Sequence, residues 1–415
     1  MIDFDIHQYQ LRDALYLWWL GQPSRPQLIG TLAMVRAKRG VSLRYAPSWL
    51  KAGFPLSEDL PLIDSEFLPM EPETAAGAVD DARPDRWGER VIRFLDKPPR
   101  LSVLEFLLFA GDERFGALGV SVSNAAYVAR RMGPLPQLAD VPAMARLVQQ
   151  VLQGEPIDAA QQRLIAPGGT MGGARPKALL NLDGHPWVIK FNEMGESIDM
   201  PLVEHASLTL AAKAGIRVAQ TRPIALPAGH ALAVKRFDRA PGHRHHALSA
   251  RVALKAAGED MGYPELAQLL RRRGVAADGV ALQHRHELFR RMVFNILLDN
   301  TDDHEKNHVL LMNDRFEYEL SPAFDVLPAG QALGYQQMRV GSAGSDASLD
   351  NALSEHRLFG LDAPEAVQQV RQVVAVIANW QPHFVACGVR PSEIQALAQQ
   401  IDRPFLLTQR QAHGG

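Results

Sequence analysis

One cysteine, Cys387, stands in 415 residues. A disulfide within the chain and a cysteine-built zinc site are both excluded, which fits a reducing compartment. No stretch approaches the roughly 18 uninterrupted apolar residues that a membrane-spanning helix needs. Neither sign of charge predominates: 44 Lys and Arg against 46 Asp and Glu leave a formal net charge of −2, so the chain as a whole is not built to wrap nucleic acid. The local basic run Arg271-Arg272-Arg273 reads as the solvated face of a helix. Internal repeats and low-complexity tracts are missing. With 47% apolar and 22% charged residues, long disorder is not expected. The opening MIDFDIHQYQLRD has early acids and no basic start leading into an apolar stretch, so a signal peptide is not expected and the cytoplasm is the expected compartment.

What is present suffices for two or three domains. From Ala14 to Val35, aromatic and β-branched residues are broken by Gly21, Pro23, Pro26 and Gly30, a pattern of short strands and hairpins. Glu105 to Phe109 reads as helical, and Gly116 to Val122 as a glycine-flanked strand. Met144, Leu147, Val148, Val151 and Leu152 recur at helical spacing after Pro142 and stop at Gly154. Asp183-Gly184 is a hairpin turn between Ala178-Leu179-Leu180 and the run Trp187 to Phe191. A helix over Val203 to Ala214, closed by Gly215, and a buried strand at Ala231 to Val234 follow. Beyond residue 250, apolar helical faces recur at 288–297, 367–377 and 394–401.

The densest polar cluster is LLDNTDDHEKNHVLL, residues 297 to 311. Asp302 and Asn307 stand there as D-x-x-x-x-N. Phosphoryl transfer needs a carboxylate to accept the proton of the attacking hydroxyl and a nearby oxygen on magnesium, and protein kinases use this spacing. The same residues also fit a solvated turn. Two apolar runs, 309–312 and 316–320, flank Asn313-Asp314 and predict a second hairpin. It would return the chain to Ser321-Pro322-Ala323-Phe324-Asp325, where Asp325 reads as a second metal ligand or as a helix N-cap. Four glycines between 168 and 173 suit backbone approach to phosphates or form a plain tight turn; Gly173 is followed by Ala174-Arg175, so the loop is not a Walker A loop. Lys190, ending an apolar strand, suits phosphates and the carboxylate of Glu204, or is an ordinary strand-end lysine.

His304-Glu305-Lys306-Asn307-His308 is a literal HExxH, the zincin motif. That chemistry needs both histidines on one helical face. The preceding Asp299-Asn300-Thr301-Asp302-Asp303 favours a loop, with His356 or a carboxylate left as a third ligand for a zinc peptidase. His243, His245 and His246 read as surface residues of a Gly/Arg-rich loop.

Together GGTMGGARPKALL, AVKRFDR at 233–239, NTDDHEKNHVLL and LSPAFDVLP resemble the HipA-like toxin Ser/Thr kinases of type II toxin–antitoxin systems. Tyr45-Ala46-Pro47-Ser48-Trp49-Leu50 and Gly111 to Ala117 resemble that family's N-terminal part, so the resemblance covers most of residues 13 to 405. It implies Asp302 as the catalytic aspartate, with Asn307 and Asp325 as the Mg2+ ligands. It implies Gly172, Gly173, Ala174, Arg175, Pro176, Lys177, Lys190, His304 and Lys306 as contacts to ATP, beside Asn307 and Asp325. Lys235, Arg236 and Phe237 correspond to the hinge that meets adenine through its backbone, although an acidic residue can occur at the Lys235 position. Family members autophosphorylate a serine in the glycine loop; the matching residue here is Thr170, with Ser249 as a competing acceptor.

The fold expected is α+β and protein-kinase-like, with two lobes. A β-rich subdomain covers 1–130, an N-lobe with the glycine loop 131–245, and a helical C-lobe with the catalytic and metal loops 246–415. The resemblance implies a protein substrate related to translation, such as an aminoacyl-tRNA synthetase. It also implies a helix-turn-helix antitoxin of the HipB type, through which alone DNA would be met, and no membrane partner. A pseudokinase binding module would keep the fold without turnover; the intact Asp302, Asn307 and Asp325 argue against it.

Overall fold

The computed structural model describes residues 9–130, 133–165, 174–329 and 333–414. In chain order the strands are β1 (Ala14–Trp19), β2 (Gln27–Val35), β3 (Gly40–Tyr45), β4 (Glu66–Phe67), β5 (Leu118–Ser121), β6 (Lys177–Leu182), β7 (His185–Lys190), β8 (Thr221–Ala225), β9 (His230–Lys235), β10 (Arg239–Ala240), β11 (His243–Arg244), β12 (His246–Ser249), β13 (Val309–Met312) and β14 (Tyr318–Leu320). The helices are α1 (Pro47–Ala52), α2 (Arg86–Val91), α3 (Val103–Phe109), α4 (Val141–Gln153), α5 (Ala159–Gln162), α6 (Met200–Lys213), α7 (Ala250–Ala257), α8 (Tyr263–Arg273), α9 (Val280–Leu297), α10 (Leu349–Ser354), α11 (Ala363–Ile377), α12 (Trp380–Ala386), α13 (Pro391–Ile401) and α14 (Pro404–His413). Two compact units result. The first comprises Met1–Met194 and Lys235–Leu248; the second comprises Gly195–Val234 and Ser249–Gly415.

The first unit is built on an antiparallel sheet of order β4-β3-β2-β1-β5. Leu15 and Leu17 of β1 and Ile29 and Leu32 of β2 are fully buried, as expected of strands packed on a core. Gly30 is required where β2 meets β3, because a Cβ there would stand 2.2 Å from the Arg44 carbonyl oxygen. His246 is not a surface residue, contrary to the sequence reading. It is 2% exposed, its Nε2 lies 2.8 Å from the Leu56 carbonyl oxygen, and its ring meets Trp19 and Phe54 edge-on. The expected hairpin of β6 and β7 forms, with Asp183 and Gly184 both at positive φ, 53° and 77°. That is the backbone an Asp-Gly two-residue turn supplies.

In the second unit α9 is buried along almost its whole length. Leu288, Phe289, Met292, Val293, Ile296 and Leu297 are core residues, and α8 and α11 pack against the helix. The exposed side chains of Arg271, Arg272 and Arg273 end α8. Two elements differ from expectation. Strand β8, antiparallel to β9, was hidden by Pro223, which removes a ladder donor and is tolerated at sheet edges. The β13–β14 turn is longer than Asn313-Asp314: Asn313 N–H donates to the Glu317 carbonyl, Phe316 sits at φ 61°, and regular pairing starts only at Tyr318.

Candidate active site

The polar cluster opens where α9 ends. The Asn300 N–H donates to the Asn295 carbonyl at 2.9 Å and its side-chain amide to Asn295 Oδ1 at 3.1 Å, closing the helix. Asp299, at φ 59°, has its carboxylate held by Arg403 at 2.8 Å. The chain then exposes Asp302 and buries Asp303. Asp302 Oδ1 accepts from Gln337 Nε2 at 3.0 Å. Asp303 Oδ2 accepts from the Tyr263 hydroxyl and lies 2.8 Å from His308 Nε2. Burial raises the Asp303 carboxyl, but the charge and hydrogen bond of His308 and the bond from Tyr263 outweigh it and hold the group below the usual carboxylate value.

A short 3-10 turn, Glu305–Asn307, leads into β13. Asn307 is 4% exposed, and its Oδ1 is buried without a hydrogen-bond partner among the described residues. A buried carbonyl oxygen left open is costly in a finished core, and it is the kind of hard oxygen that magnesium takes. Strands β13 and β14 pair antiparallel, and Ser321 N–H donates to the Val309 carbonyl at 2.8 Å. The hairpin therefore brings Ser321 to Asp325 back to the end that carries Asn307. A small cavity lined by Asp303, Asn307, His308, Ala323, Phe324 and Val326 shows the two segments facing one another.

Asp325 sits at φ 59°, a conformation that Asp and Asn tolerate better than other side chains. Its N–H donates to Glu204 Oε1 at 3.2 Å, and Glu204 is 2% exposed on α6. Upstream, Ala323 N–H donates to the Arg217 carbonyl and Ala219 N–H to the Ala323 carbonyl, at 2.7 and 2.8 Å. No helix follows Asp325 in residues 326–329, which removes the N-cap reading. Among the described residues no three His, Cys, Asp or Glu side chains are grouped to hold a metal ion; the Asn307 carbonyl oxygen and the Asp325 carboxylate are hard oxygens of the kind a divalent cation takes.

The HExxH reading fails on geometry. His304 and His308 do not share a helix: one precedes the 3-10 turn, the other follows it. His308 Nε2 is committed to Asp303, and Glu305 pairs with Arg251 at 3.1 Å. Lys306 is exposed and His304 half-buried. His356 sets Nδ1 2.7 Å from the Leu353 carbonyl. Ser249 is the buried N-cap of α7, its hydroxyl accepting from Val252 N–H at 3.3 Å.

In the first unit Lys177 and Lys190 are direct cross-strand partners on the β6–β7 hairpin, both buried. Lys177 Nζ meets Asp85 Oδ2 at 2.6 Å, so part of its charge is already answered. Pro176 accepts from Phe191 N–H; Arg175 is half-buried and Ala174 exposed. Among the hinge residues, the Arg236 N–H donates to the Pro186 carbonyl at 3.3 Å, and its guanidinium is bound to Asp238 and to the Glu113 and Arg114 carbonyls. The Arg236 side chain is thus a structural group. Lys235 is half-buried, and Phe237 packs edge-on against Phe115. Thr170, Gly172 and Gly173 lie outside the described residues.

Sequence reasoning did not find Tyr263 and Gln337, which reach Asp303 and Asp302 from 40 and 35 positions away. It paired Glu204 only with Lys190 and missed its bond to Asp325. Nothing local in the sequence marks these contacts.

The described residues form an α+β fold. The chain belongs to the HipA-like family: residues 169–380 match the HipA-like C-terminal domain and residues 24–121 the HipA N-terminal domain. Its structure is similar to HipA of Shewanella oneidensis MR-1, solved with HipB and its operator DNA as a toxin–antitoxin system. That likeness has 16% identity and a TM-score of 0.66, over 96% of this chain and 97% of that one. The putative kinase Y4dM of Sinorhizobium fredii (strain NBRC 101917 / NGR234) is 34% identical over 160 residues, 35% of this chain and 37% of that protein. The match therefore spans little more than a third of that curated relative.

Proposed function

We propose that this chain transfers the γ-phosphate of ATP to a serine or threonine hydroxyl of a protein. The observation that carries the reading is that the β13–β14 hairpin returns Phe324 and Val326, which flank Asp325, to the cavity that Asn307 lines, with the Asn307 oxygen buried and open among the described residues. Asn307 and Asp325 would hold Mg2+, which when bound neutralises charge on the phosphates. Asp302, exposed and oriented by Gln337 through Oδ1, accepts the proton of the acceptor hydroxyl. The hydroxyl oxygen bonds to the γ-phosphorus as the bond to the bridging oxygen breaks and ADP leaves. Lys177, Lys190 and the segment 172–176 serve the phosphates, and the backbone of Lys235 and Phe237 the adenine.

Family membership extends the proposal to a toxin of a toxin–antitoxin pair. Its target would be a protein of translation, such as an aminoacyl-tRNA synthetase, and its partner a helix-turn-helix antitoxin of the HipB type that carries it to DNA. Thr170 is proposed as the self-phosphorylation site: a phosphate there adds close to two negative charges to the glycine-rich segment.

Incubation with labelled ATP and magnesium, with mass-spectrometric mapping of the phosphate, tests the reading. Asp302→Asn should lose transfer by about 100-fold or more, the scale of general-base catalysis, while still binding nucleotide. Near-normal turnover removes Asp302 from its role. Stoichiometric zinc that His304→Ala releases would replace the kinase reading altogether. Phosphate found elsewhere, with Thr170 always unmodified, removes the switch alone.

A further inference from the structure

We infer that Tyr263 and His308, both bound to the Asp303 carboxylate, set the separation of Asp302 and Asn307 and so the metal competence of the loop. They are positioning residues, and the inference rests on the phosphoryl-transfer reading above.

Asp303 is 2% exposed although its neighbour Asp302 is open to solvent. Burying a carboxylate is expensive unless partners satisfy it, and packing alone gives no reason for one here. Its Oδ2 meets two partners from different places in the fold. The Tyr263 hydroxyl comes from the first turn of α8, and Tyr263 is fully buried. His308 Nε2, at 2.8 Å, comes from the residue just ahead of β13. The two rings also meet edge-on, with centroids 5.4 Å apart. Tyr263 is fixed in turn by its backbone, whose N–H donates to the Arg339 carbonyl at 3.0 Å. His308 is fixed through its carbonyl, which accepts from Ala250 N–H at 2.7 Å.

The consequence lies in the register. Asp302 stands one residue before Asp303, and Asn307 one residue before His308. One carboxylate therefore ties together the two positions that immediately follow the proposed base and the proposed metal ligand. The loop between them cannot lengthen or turn without breaking the Asp303–His308 bond, and it cannot shift as a whole without breaking the bond to Tyr263. Outer groups that orient metal ligands in this way typically contribute about 10- to 100-fold in metal affinity or activity. A merely structural hydroxyl would change stability and leave metal affinity alone.

The test uses the full chain, with Mn2+ binding followed by electron paramagnetic resonance in the presence of a non-hydrolysable ATP analogue. Phosphate transfer and thermal unfolding are measured on the same samples. Tyr263→Phe keeps the ring and removes the hydroxyl. It should weaken Mn2+ binding and lower kcat, each by about 10-fold or more, while binding of the analogue without metal is unchanged. His308→Gln, which keeps a side-chain donor, should recover part of what His308→Ala loses. If His308→Ala does not fold, Tyr263→Phe carries the test. Wild-type Mn2+ affinity and kcat in Tyr263→Phe overturn the positioning role while the kinase reading stands. A wild-type chain that binds neither Mn2+ nor nucleotide overturns both.

Discussion

Asp238 accepts from two side chains and the backbone at once. Arg236 reaches it with Nε and Nη2 at 3.0 and 2.7 Å, Arg239 with Nη1 at 2.6 Å, and Gly116 with its N–H at 2.8 Å. Burial pushes its carboxyl up, but the two guanidinium groups and the Gly116 bond hold it well below the usual carboxylate range. Removing the carboxylate would take the shared counter-charge from two buried guanidinium groups, leaving Arg236 with Glu113 and Arg239 with backbone carbonyls. Asp238→Ala should therefore cost about 3–5 kcal/mol of stability, read as a lower urea midpoint. Asp238→Asn should cost less, because it keeps an acceptor oxygen. A midpoint equal to wild type in Asp238→Ala would show the network to be dispensable. The motif AVKRFDR was read as a hinge, and the sequence did not show that the Arg236 side chain turns inward. Which side chain turns inward depends on partners such as Glu113, Arg114 and Gly116, more than 120 positions away. His246 was misread for the same reason: a Gly/Arg-rich neighbourhood says loop, and only Trp19, Phe54 and Leu56 say core.

Among elements, the local signals were the dependable ones. The Asp183-Gly184 turn, the helix closed by Gly154 and the long apolar face of α9 all follow from neighbours in sequence. The β13–β14 turn was not legible to the residue, because Asn313 spends its side chain on Arg315 N–H and Glu317 N–H and so holds a wider loop than the two-residue turn it resembles. The β6–β7 hairpin invites a direct test. Gly184 has open space around it but a φ of 77°, so a side chain there is strained by the backbone alone. Gly184→Val should lower stability by about 1–2 kcal/mol, whereas Gly184→Asn should be nearly silent. Since the hairpin carries Lys177 and Lys190 side by side, the valine variant should also bind ATP more weakly. Equal thermal midpoints for the two variants would show that this turn does not constrain the hairpin.

At the scale of the molecule, a ligand that binds only the folded form raises its stability by mass action, by about 2.7 kcal/mol at one hundred times the dissociation constant. Mg-ATP should raise the thermal midpoint of the wild-type chain, and ATP with a chelator should do so less. Asp325→Ala removes the proposed full charge on the metal and should lose most of the difference between the two conditions. A magnesium-dependent shift of wild-type size in that variant would take Asp325 out of metal binding. The comparison also separates the units, since Asp302, Asn307 and Asp325 all belong to the second one while Lys177 and Lys190 belong to the first.

That assignment has a consequence for descent. The proposed base and both proposed metal ligands lie on one uninterrupted stretch, from the end of α9 through β14 to Asp325, and one hairpin within it carries Asn307 and Asp325 on its two arms. Outside that stretch, only a few positions, Glu204, Tyr263 and Gln337 among them, bear on the placement directly. If the proposed reaction holds, it can be conserved as a cassette while the surfaces that would choose an acceptor drift, so two such proteins would come to modify different acceptors by the same chemistry.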